Sequence, residues 1–411
     1  MEREFKDSGI EWIGKIPREW KTCKLKRLLS FKNGQDYKHV ESDTGYPVYG
    51  SGGIFMHAKQ YLYDGEAVLF GRKGTIDKPL YVNEKFWTVD TMYYAIPNSD
   101  GCGKFLYYLG TLLPFNKYQT STALPSMTQT ILGDMNVVHP PLPEQQRIAD
   151  YLDKKCSEID ELIALQEQMI AQLTDYKQSV ITEAVTKGLN PNAQLVPSGI
   201  DWIGDVPEGW KIVPLRYLGR TQNGISQSGD YFGEGFPFVS YTDVYKNYSL
   251  PTVFKGLAKS SKQDQKLFSV KEGDVFFTRT SETIDEIGFS SVCLQTVENA
   301  VFAGFLIRFR PYKGKIDKNF SKYYFRSNIH RAYFVKEMNL VTRASLSQEL
   351  LKSLPVLLPP MEEQQFIAAF LDTKCSEIDS LISLKQQKIE TLKDYKKSVI
   401  YEAVTGKTMI D

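Results

Sequence analysis

The strongest hydrophobic pattern in the sequence lies in two long stretches, residues 140–187 and 359–406. In the first stretch, apolar or near-apolar side chains recur in steps of three, four or seven residues at Leu152, Ile159, Leu162, Met169, Leu173, Tyr176 and Val180. In the second stretch, the same spacing gives Leu371, Ile378, Leu381, Leu392, Tyr395 and Val399, while Lys388 stands in the position of Met169. This periodicity predicts two helices, each with an apolar seam that packs on another helix.

The two stretches are copies of one another, because they align without a gap at an offset of 219 residues. Each begins with Pro-Pro, which favours an extended entry, and has Glu close behind it. Neither contains Gly or Pro between its first few residues and its end. We therefore expect each to form one unbroken helix of roughly 43 residues, or about 65 Å. The natural partner for each apolar seam is the other copy, in an antiparallel pair.

A second repeat opens each half of the chain, since residues 7–21 match residues 197–211 at an offset of 190. The middles that follow, about 22–139 and 212–358, share little beyond Asn33-Gly34 and Asn223-Gly224. Both consist of short apolar or aromatic runs broken by Gly, Pro, Asn and Asp, which predicts irregular, mostly β domains. A few helices are expected there, around residues 102–113 and 318–337. Two similar frames around two dissimilar middles indicate a bipartite reader of two different targets.

Composition and charge narrow the class of protein. The 411 residues are 42% hydrophobic, which is enough to form a core for two or three domains, and no stretch approaches 18 uninterrupted apolar residues. We expect a soluble, cytoplasmic protein. The net charge of +1 divides unevenly, at about +2 for residues 1–142, −4 for 143–188, +5 for 195–358 and −2 for 359–411. If a polyanion is bound, the middles bind it.

Motifs for catalysis or metal binding are weak. The four histidines, His39, His57, His139 and His330, do not lie at metal-ligand spacing with Cys, Asp or Glu, and the five cysteines contain no Cys-x-x-Cys pair. The equivalent Cys156 and Cys375 are interpreted as small packing residues on the helices.

Two short segments superficially resemble catalytic motifs. His139-Pro-Pro-Leu is similar to the Pro-Pro motif of amino-methyltransferases, but its duplicate Leu358-Pro-Pro-Met offers no acceptor for the exocyclic amine and no ring to stack on a flipped base. Thr405-Gly-Lys-Thr408 is similar to the end of a phosphate loop, but it lacks the earlier Gly and the preceding strand. We interpret the first as a helix entry and the second as a helix C-terminus capped by Gly.

Taken together, the duplicated motifs resemble one known family. Gly-x-Ile-Pro-x-x-Trp at Gly14 to Trp20, its counterpart at Gly204 to Trp210, and the Pro-Pro-x-x-Glu-Gln-Gln entries to the long helices resemble the specificity subunit of type I restriction-modification systems. The resemblance implies an α+β fold with two tandem target-recognition domains. Its expected segments are recognition domain 1 at 1–142, a first spacer helix at 143–187, recognition domain 2 at 188–358 and a second spacer helix at 359–411.

The same resemblance implies function and partners. The chain would be a non-catalytic subunit that reads a bipartite, asymmetric duplex DNA site, one half-site per recognition domain. The long helices would form an antiparallel coiled coil with pseudo-two-fold symmetry, which would separate the domains and bind two modification (methyltransferase) subunits. A restriction subunit would complete the complex, and S-adenosylmethionine, ATP and Mg would belong to these partners rather than to this chain.

Candidate DNA-binding residues are polar groups in the turns of the middles, where Arg and Lys can reach guanine or phosphate, and hydroxyl and amide groups can reach base edges. In the first middle they are Ser51, Gly52, His57, Lys59, Arg72, Lys73, Thr75, Gln119, Thr120 and Thr122. In the second they are Tyr241, Thr242, Thr278, Arg279, Thr280, Thr342, Arg343 and Ser345. The positions assigned to the spacer and partner helices are Leu152, Ile159, Leu162, Leu173, Tyr176, Leu371, Ile378, Leu381, Leu392 and Tyr395.

Two other functions compete with this hypothesis. An active DNA-modifying enzyme would need the methyltransferase motifs that the sequence lacks. A protein scaffold or adaptor, with two domains on a coiled coil and no DNA specificity, would fit the same helices. Salt-dependent binding of duplex DNA in complex with a methyltransferase would distinguish a DNA reader from an adaptor.

Overall fold

The computed structural model describes residues 3–118, 125–281, 287–330, 333–334 and 344–410. The chain forms two compact units, each of which combines one middle with parts of both long helices. Unit 1 contains residues 1–167 and 386–411, and unit 2 contains residues 168–385. The unit boundaries therefore fall inside the long helices rather than at their ends.

In the first half of the chain, eleven strands and four helices lie within the described residues. The strands are β1 (Phe5–Asp7), β2 (Lys15–Pro17), β3 (Lys21–Lys24), β4 (Leu29–Asn33), β5 (Glu41–Ser42), β6 (Tyr46–Gly50), β7 (Gly53–Ala58), β8 (Tyr63–Gly71), β9 (Leu80–Thr88), β10 (Met92–Pro97) and β11 (Asn136–His139). The helices are α1 (Gly103–Thr111), α2 (Phe115–Tyr118), α3 (Gln129–Gly133) and the long α4 (Leu142–Lys187).

The second half has a similar succession of elements. Its strands are β12 (Leu195–Pro197), β13 (Asp205–Pro207), β14 (Lys211–Pro214), β15 (Gly219–Asn223), β16 (Phe232–Val239), β17 (Leu257–Ala258), β18 (Val275–Thr278), β19 (Thr280–Ser281), β20 (Ser290–Val292), β21 (Val301–Phe302), β22 (Leu306–Pro311), β23 (Ala344–Ser345) and β24 (Pro355–Leu358). Its helices are α5 (Tyr241–Lys246), α6 (Lys262–Leu267), α7 (Lys318–Tyr324), α8 (Gln348–Ser353) and the long α9 (Met361–Val404).

Both middles are built on the same four-stranded antiparallel arrangement. In unit 1 the order β4-β10-β8-β9 forms part of a seven-stranded sheet, and in unit 2 the order β15-β22-β18-β20 forms a sheet of its own. Each unit also contains a parallel pair that involves corresponding strands, β6 with β9 and β16 with β21. The dissimilar middles therefore share a topology that their sequences do not reveal.

The shared Asn-Gly dipeptide has a structural reason in this sheet. Gly34 donates its backbone N–H to the Met92 carbonyl, and Gly224 donates to that of Leu306, at 3.0 and 3.2 Å. A Cβ atom at Gly34 would lie 2.0 Å from the Val89 carbonyl oxygen, and one at Gly224 would lie 2.1 Å from that of Ala303. Only glycine allows the chain to leave the edge strand this close to the neighbouring backbone.

The frame motifs attach each middle to the start of a long helix. In unit 1 the Trp20 indole donates to the Glu144 carboxylate at 2.8 Å, and in unit 2 Trp210 donates to Glu363 at 3.0 Å. Both glutamates lie in the first helical turn, where a negative charge is stabilised by the helix dipole. In both units, therefore, the Trp of the first repeated motif contacts the Glu of the second repeated motif.

A second repeated contact involves the buried glutamine that follows each glutamate. Gln145 accepts the backbone N–H of Cys102, immediately before α1, at 2.9 Å, and its amide donates to the Pro140 and Asp100 carbonyls. Gln364 accepts the backbone N–H of Asp317, immediately before α7, at the same distance. Each glutamine thus satisfies a helix-terminal donor inside the core, which explains the first glutamine of the Glu-Gln-Gln sequence in both copies.

The long helices pair antiparallel in each unit, as predicted. In unit 1 the Lys396 ammonium lies 2.6 Å from the Asp160 carboxylate, and in unit 2 Lys177 lies 2.7 Å from Asp379. The 219-residue offset converts one ion pair into the other. The same ion pair therefore occurs once in each unit, as expected from the duplication of the helices.

The predicted apolar seam needs a correction. The buried positions of the helices include Leu152, Ile159, Leu371 and Ile378, and they run on through Cys156, Ile181, Cys375 and Ile389. Leu173 and Leu392 are half-buried. Met169, Val180 and Val399 are half-buried as well, and four predicted seam residues, Leu162, Tyr176, Leu381 and Tyr395, are exposed. The seam shifts because three- and four-residue steps follow more than one face of a helix this long, and sequence spacing alone does not identify which face is covered.

Two other expectations concern helix ends. The helix predicted around 318–337 is interrupted, since α7 ends at Tyr324, where its carbonyl accepts the backbone N–H and the hydroxyl of Ser327, and the described residues 329–330 and 333–334 are helical again. The glycine cap predicted at the end of α9 is confirmed, with Gly406 at a φ of 72° and Lys407 donating its backbone N–H to Glu402. Within the described ranges, none of the helices has the length and apolar character required to cross a bilayer.

Candidate nucleic-acid interface

The turn after β8, which contains the predicted residues Arg72, Lys73 and Thr75, pairs with residues 125–127, which follow the predicted Gln119–Thr122 segment in the sequence. Arg72 donates its backbone N–H to the Thr91 carbonyl at 2.8 Å, and the Arg72 carbonyl accepts the N–H of Met127 at 3.0 Å. Gly74 donates to Pro125 at 2.9 Å, and Lys73 forms a β-bridge with Ser126. The turn that contains Arg72, called the arginine turn of unit 1, therefore lies beside the segment that leads to α3, although the two are far apart in sequence.

The turn after β18 repeats this construction in unit 2. Arg279 donates its backbone N–H to the Phe305 carbonyl at 2.9 Å, and the Arg279 carbonyl accepts the N–H of Leu346 at 2.7 Å. The short strands β19 and β23 then pair Thr280 with Ser345. Arg72 and Arg279 thus occupy equivalent places in the two units. Each donates its N–H to the residue opposite in the sheet and accepts, through its carbonyl, from the segment that leads to the last short helix of its middle.

Exposure separates the accessible members of this set from the buried one. Lys73 and Ser345 are exposed, and Arg72, Thr75, Arg279 and Thr280 are half-buried. Thr278 is fully buried on the inner side of β18 and cannot contact a ligand, so its prediction as a DNA-binding residue is wrong. Gln119, Thr120, Thr122, Thr342 and Arg343 lie outside the described residues.

The β6–β7 hairpin positions the other candidates of unit 1. Ser51 and Gly52 form its two-residue turn, while His57 and Lys59 are exposed at the far end of β7. The sequence reading missed its most exposed apolar residues, Ile54 and Phe55. Hydrophobic residues next to a Gly-rich turn look like strand core in a sequence, and only the edge position of the hairpin shows them to be on the surface.

The pair Tyr241-Thr242 begins α5 of unit 2. Ser240 and Asp243 form a capping box that fixes this helix start, and Tyr241 stacks on Tyr245 with ring centroids 5.9 Å apart. The structure therefore holds Tyr241 in a packed aromatic pair and leaves Thr242 exposed. Of the two candidates, Thr242 has the side chain available to a ligand.

Part of the basic surplus of the second middle lies inside the fold. Arg308 is buried, with its guanidinium donating to the Ser269 carbonyl at 2.6 Å, and burial lowers its pKa to about 10. Arg326 donates to the Val244 and Tyr245 carbonyls at the end of α5, and burial lowers its pKa as well. These two arginines support the frame of unit 2, so the charge available to a polyanion is smaller than the sequence count.

The long helices present a second kind of surface. Unit 1 exposes Leu162 and Leu165 on α4 and Tyr395 on α9, and unit 2 exposes their equivalents Leu381 and Leu384 on α9 and Tyr176 on α4. Each set of three is related to the other by the 219-residue offset. Exposed apolar residues of this size, repeated in register, are typical of a protein interaction surface.

No metal site is evident in the part of the chain that the structure describes. In those ranges, His, Cys, Asp and Glu side chains do not gather in groups of three or more that could hold a metal ion. The chemistry available at the arginine turns is hydrogen bonding and charge, which is the chemistry of recognition.

Comparison with known proteins assigns the family. The model of the type I restriction modification DNA specificity domain matches the chain twice, at residues 17–175 and 207–394. The chain is 26% identical to the putative type I restriction enzyme MjaX specificity subunit of Methanocaldococcus jannaschii, over 100% of this chain and 97% of the relative. It is 21% identical to the type I restriction enzyme EcoBI specificity subunit of Escherichia coli, over 98% of this chain and 89% of the relative.

A solved structure supports the fold. A chain from a study of complex assembly and conformational transition in the type I R-M system superposes with a TM-score of 0.71 at 16% identity, covering 96% of this chain and 99% of that one. The two matched domains coincide with the two middles and the long helices that follow them. The chain therefore belongs to the type I restriction-modification DNA specificity family, as a non-catalytic subunit that recognises DNA.

Proposed function

We propose that each unit reads one half of a bipartite, asymmetric duplex DNA site, and that the arginine turn is the centre of each reading surface. The observation that carries this proposal is the repeated ladder in which Arg72 and Arg279 are held by equivalent backbone hydrogen bonds. The same backbone arrangement, with different side chains beside the arginine, is suited to placing the arginine equally in both units while contacting different bases. Arginine is the side chain that most often reads guanine in the major groove.

The surroundings of the two turns support this function. Lys73 in unit 1 and Ser345 in unit 2 are exposed beside the arginines, and both are side chains that can contact phosphate or base edges. Within the described part of the chain, the Arg279 guanidinium has no hydrogen bond or ion pair, whereas Arg72 makes one long contact of 3.3 Å to the Asp90 carbonyl. Both groups can therefore turn to a ligand without breaking a strong interaction.

The test is a pair of matched variants in the assembled methyltransferase complex. Arg72→Ala should relax the base preference in one half-site only, and Arg279→Ala should relax it in the other half-site only, each with a loss of about 1–3 kcal/mol of binding free energy at the cognate site. Methylome sequencing of cells that carry each variant would identify the affected half. Arg343→Ala tests a predicted residue outside the described ranges in the same assay.

The control variant lies in β22, which pairs with the strand that precedes Arg279. Arg308→Met removes a buried arginine and should change stability rather than the modified sequence. If Arg72→Ala and Arg279→Ala weakened binding equally at all sequences, the two arginines would be phosphate contacts. If both left the modified site unchanged, the arginine turns would not be the reading surface.

We further propose that the two equivalent exposed sets on the long helices bind two modification subunits, one per unit. The support is their identical composition, two leucines and one tyrosine, in equivalent positions. Duplicate surfaces favour two copies of one partner over two different partners. S-adenosylmethionine would then be held by these partners, and ATP and Mg by the restriction subunit, because the reading surface supplies recognition chemistry alone.

Subunit counting tests this arrangement. Leu162→Glu combined with Leu165→Glu should remove one modification subunit, and Leu381→Glu combined with Leu384→Glu should remove the other, as measured by native mass spectrometry of the complex. Ala171→Glu is a natural control, because the equivalent position in α9 is Glu390. Loss of both partners from either double variant would contradict independent docking surfaces.

Methyl transfer provides the last check. The purified chain with labelled S-adenosylmethionine and DNA should give no methylation, and addition of the modification subunit should produce it. Cytoplasmic localisation follows from the same proposal, since the DNA target and the cofactors occur there.

A further inference from the structure

The two arginine turns differ in the residue that lies directly opposite the arginine. In unit 2 the ladder pairs Thr278 with Leu306, and the next step joins Arg279 to Phe305 through the 2.9 Å backbone hydrogen bond. In unit 1 the ladder pairs Gly71 with Met92, and the next step joins Arg72 to Thr91 in the same way. Residues directly opposite in an antiparallel pair project from the same face, with Cβ atoms about 4.5–5.5 Å apart.

Phe305 is an unusual occupant of such a position. Its side chain is 64% exposed, whereas seven other phenylalanines of this unit are buried in the core. The turn that carries it is tightly held, because Gly304 donates its backbone N–H to Ile225 at 2.7 Å and Leu306 donates to Ala303 at 3.0 Å. The backbone that carries the ring is thus fixed on the surface, one ladder step from an arginine.

We infer that Phe305 is a specificity-determining residue that contacts the C5-methyl group of a thymine next to the base read by Arg279. This inference rests on the proposed function of the arginine turns. In the major groove, thymine differs from the other bases by an apolar methyl group, and an apolar side chain is its complement. Thr91 at the equivalent place in unit 1 is smaller and carries a hydroxyl group beside its methyl group, so the inference is made for the half-site of unit 2 alone.

The experiment uses the assembled methyltransferase complex and duplexes that carry its modified site, with each thymine of the half-site read by unit 2 replaced in turn by deoxyuridine. At one position, the wild-type complex should bind the uracil duplex about three- to fivefold more weakly, the effect of one methyl group withdrawn from water. The Phe305→Ala complex should bind more weakly than wild type to the thymine duplex and should not distinguish thymine from uracil there. Fluorescence anisotropy titrations at fixed salt measure both effects.

Tyr312→Ala is the matched control, because Tyr312 is an exposed aromatic residue just beyond the opposite end of β22. It should keep wild-type affinity and wild-type discrimination of thymine from uracil. A second variant, Phe305→Leu, keeps an apolar group and should retain part of the discrimination. Unfolding midpoints of the variants distinguish loss of a contact from loss of the fold.

Three outcomes would overturn the inference. The first is a half-site in which no thymine-to-uracil change alters wild-type binding. The second is a Phe305→Ala complex that loses affinity equally at every sequence, which would indicate a wedge between base steps. The third is a complex that fails to assemble with its methyltransferase when Phe305 is changed. Absence of sequence preference in the wild-type complex would instead remove the proposed DNA-reading function and this inference with it.

Discussion

Unit 1 and unit 2 have similar structures both where their sequences are alike and where their sequences differ. The frame motifs repeat both residues and contacts, as with Trp20 on Glu144 and Trp210 on Glu363. The middles repeat the strand order and the arginine ladder with few identical residues. The difference teaches that backbone hydrogen bonds and a few close approaches preserve the architecture, while the side chains around the two arginine turns differ.

The largest expected effect concerns the tryptophan anchors. Trp20 is fully buried in unit 1, whereas Trp210 is half-buried in unit 2. Trp20→Ala should cost about 3–5 kcal/mol of unfolding free energy, and Trp210→Ala should cost less, because less surface leaves the core. Denaturant unfolding, monitored by hydrogen exchange in peptides of each unit, would measure the loss of unfolding free energy in each variant. Equal losses in the two units would refute the difference in burial as its cause.

A smaller effect is expected from the close glycines. Gly34→Ala and Gly224→Ala each bring a methyl group into a backbone carbonyl and should cost about 1–3 kcal/mol. Gly229→Ala is the control, since no heavy atom lies within 4 Å of its added Cβ. Thermal unfolding of the three variants would test whether the two units tolerate this contact equally. A stable Gly34→Ala variant would show that the sheet can move away from the new methyl group.

The buried glutamines should distinguish the units further. Gln145→Met removes the only side-chain acceptor among the described residues for the Cys102 backbone N–H, at a cost of about 1–3 kcal/mol. Gln364→Met should affect helix α7 less, because the Asp317 side chain still caps it by accepting from Asn319 and Phe320. Hydrogen exchange in the first turns of α1 and α7 would report the two effects. Similar exchange in both helices would exclude the extra cap as the reason.

The smallest effect is expected from the symmetric ion pairs of the helices. Lys177→Met and Lys396→Met should each cost about 0.2–1 kcal/mol, with the difference from wild type decreasing at high salt. Their partners Asp379 and Asp160 are more than half exposed, which limits the interaction. A double-mutant cycle with Asp379→Asn and Asp160→Asn would isolate each pair. Coupling energies that differ strongly between the two ion pairs would show that the pairs are not energetically equivalent.

The sequence predicted those parts of the fold that depend on local pattern or on duplication. The long helices follow from their periodicity, and the repetition of the frame in both units follows from the duplicated motifs. The common sheet of the middles could not be predicted, because β4 pairs with β10 across more than 50 intervening residues and leaves no local signal. In the candidate site, Arg72 and Arg279 were identified by their position after apolar strands. Phe305 was missed because an isolated phenylalanine is normally assigned to the core.

The closure of unit 1 has a consequence for the order in which the protein is made. The Tyr401 hydroxyl and the Lys407 ammonium donate to the Ile13 carbonyl at 3.0 and 2.9 Å, and Val404 packs in the same core as Trp20. The equivalent part of unit 2 is completed by the end of α4, which directly precedes it in the chain. On the ribosome, unit 1 is therefore the first to be translated and the last to be finished. Its first 167 residues must wait with an incomplete core, open to chaperones and proteases, while residues 168–385 of unit 2 are synthesised.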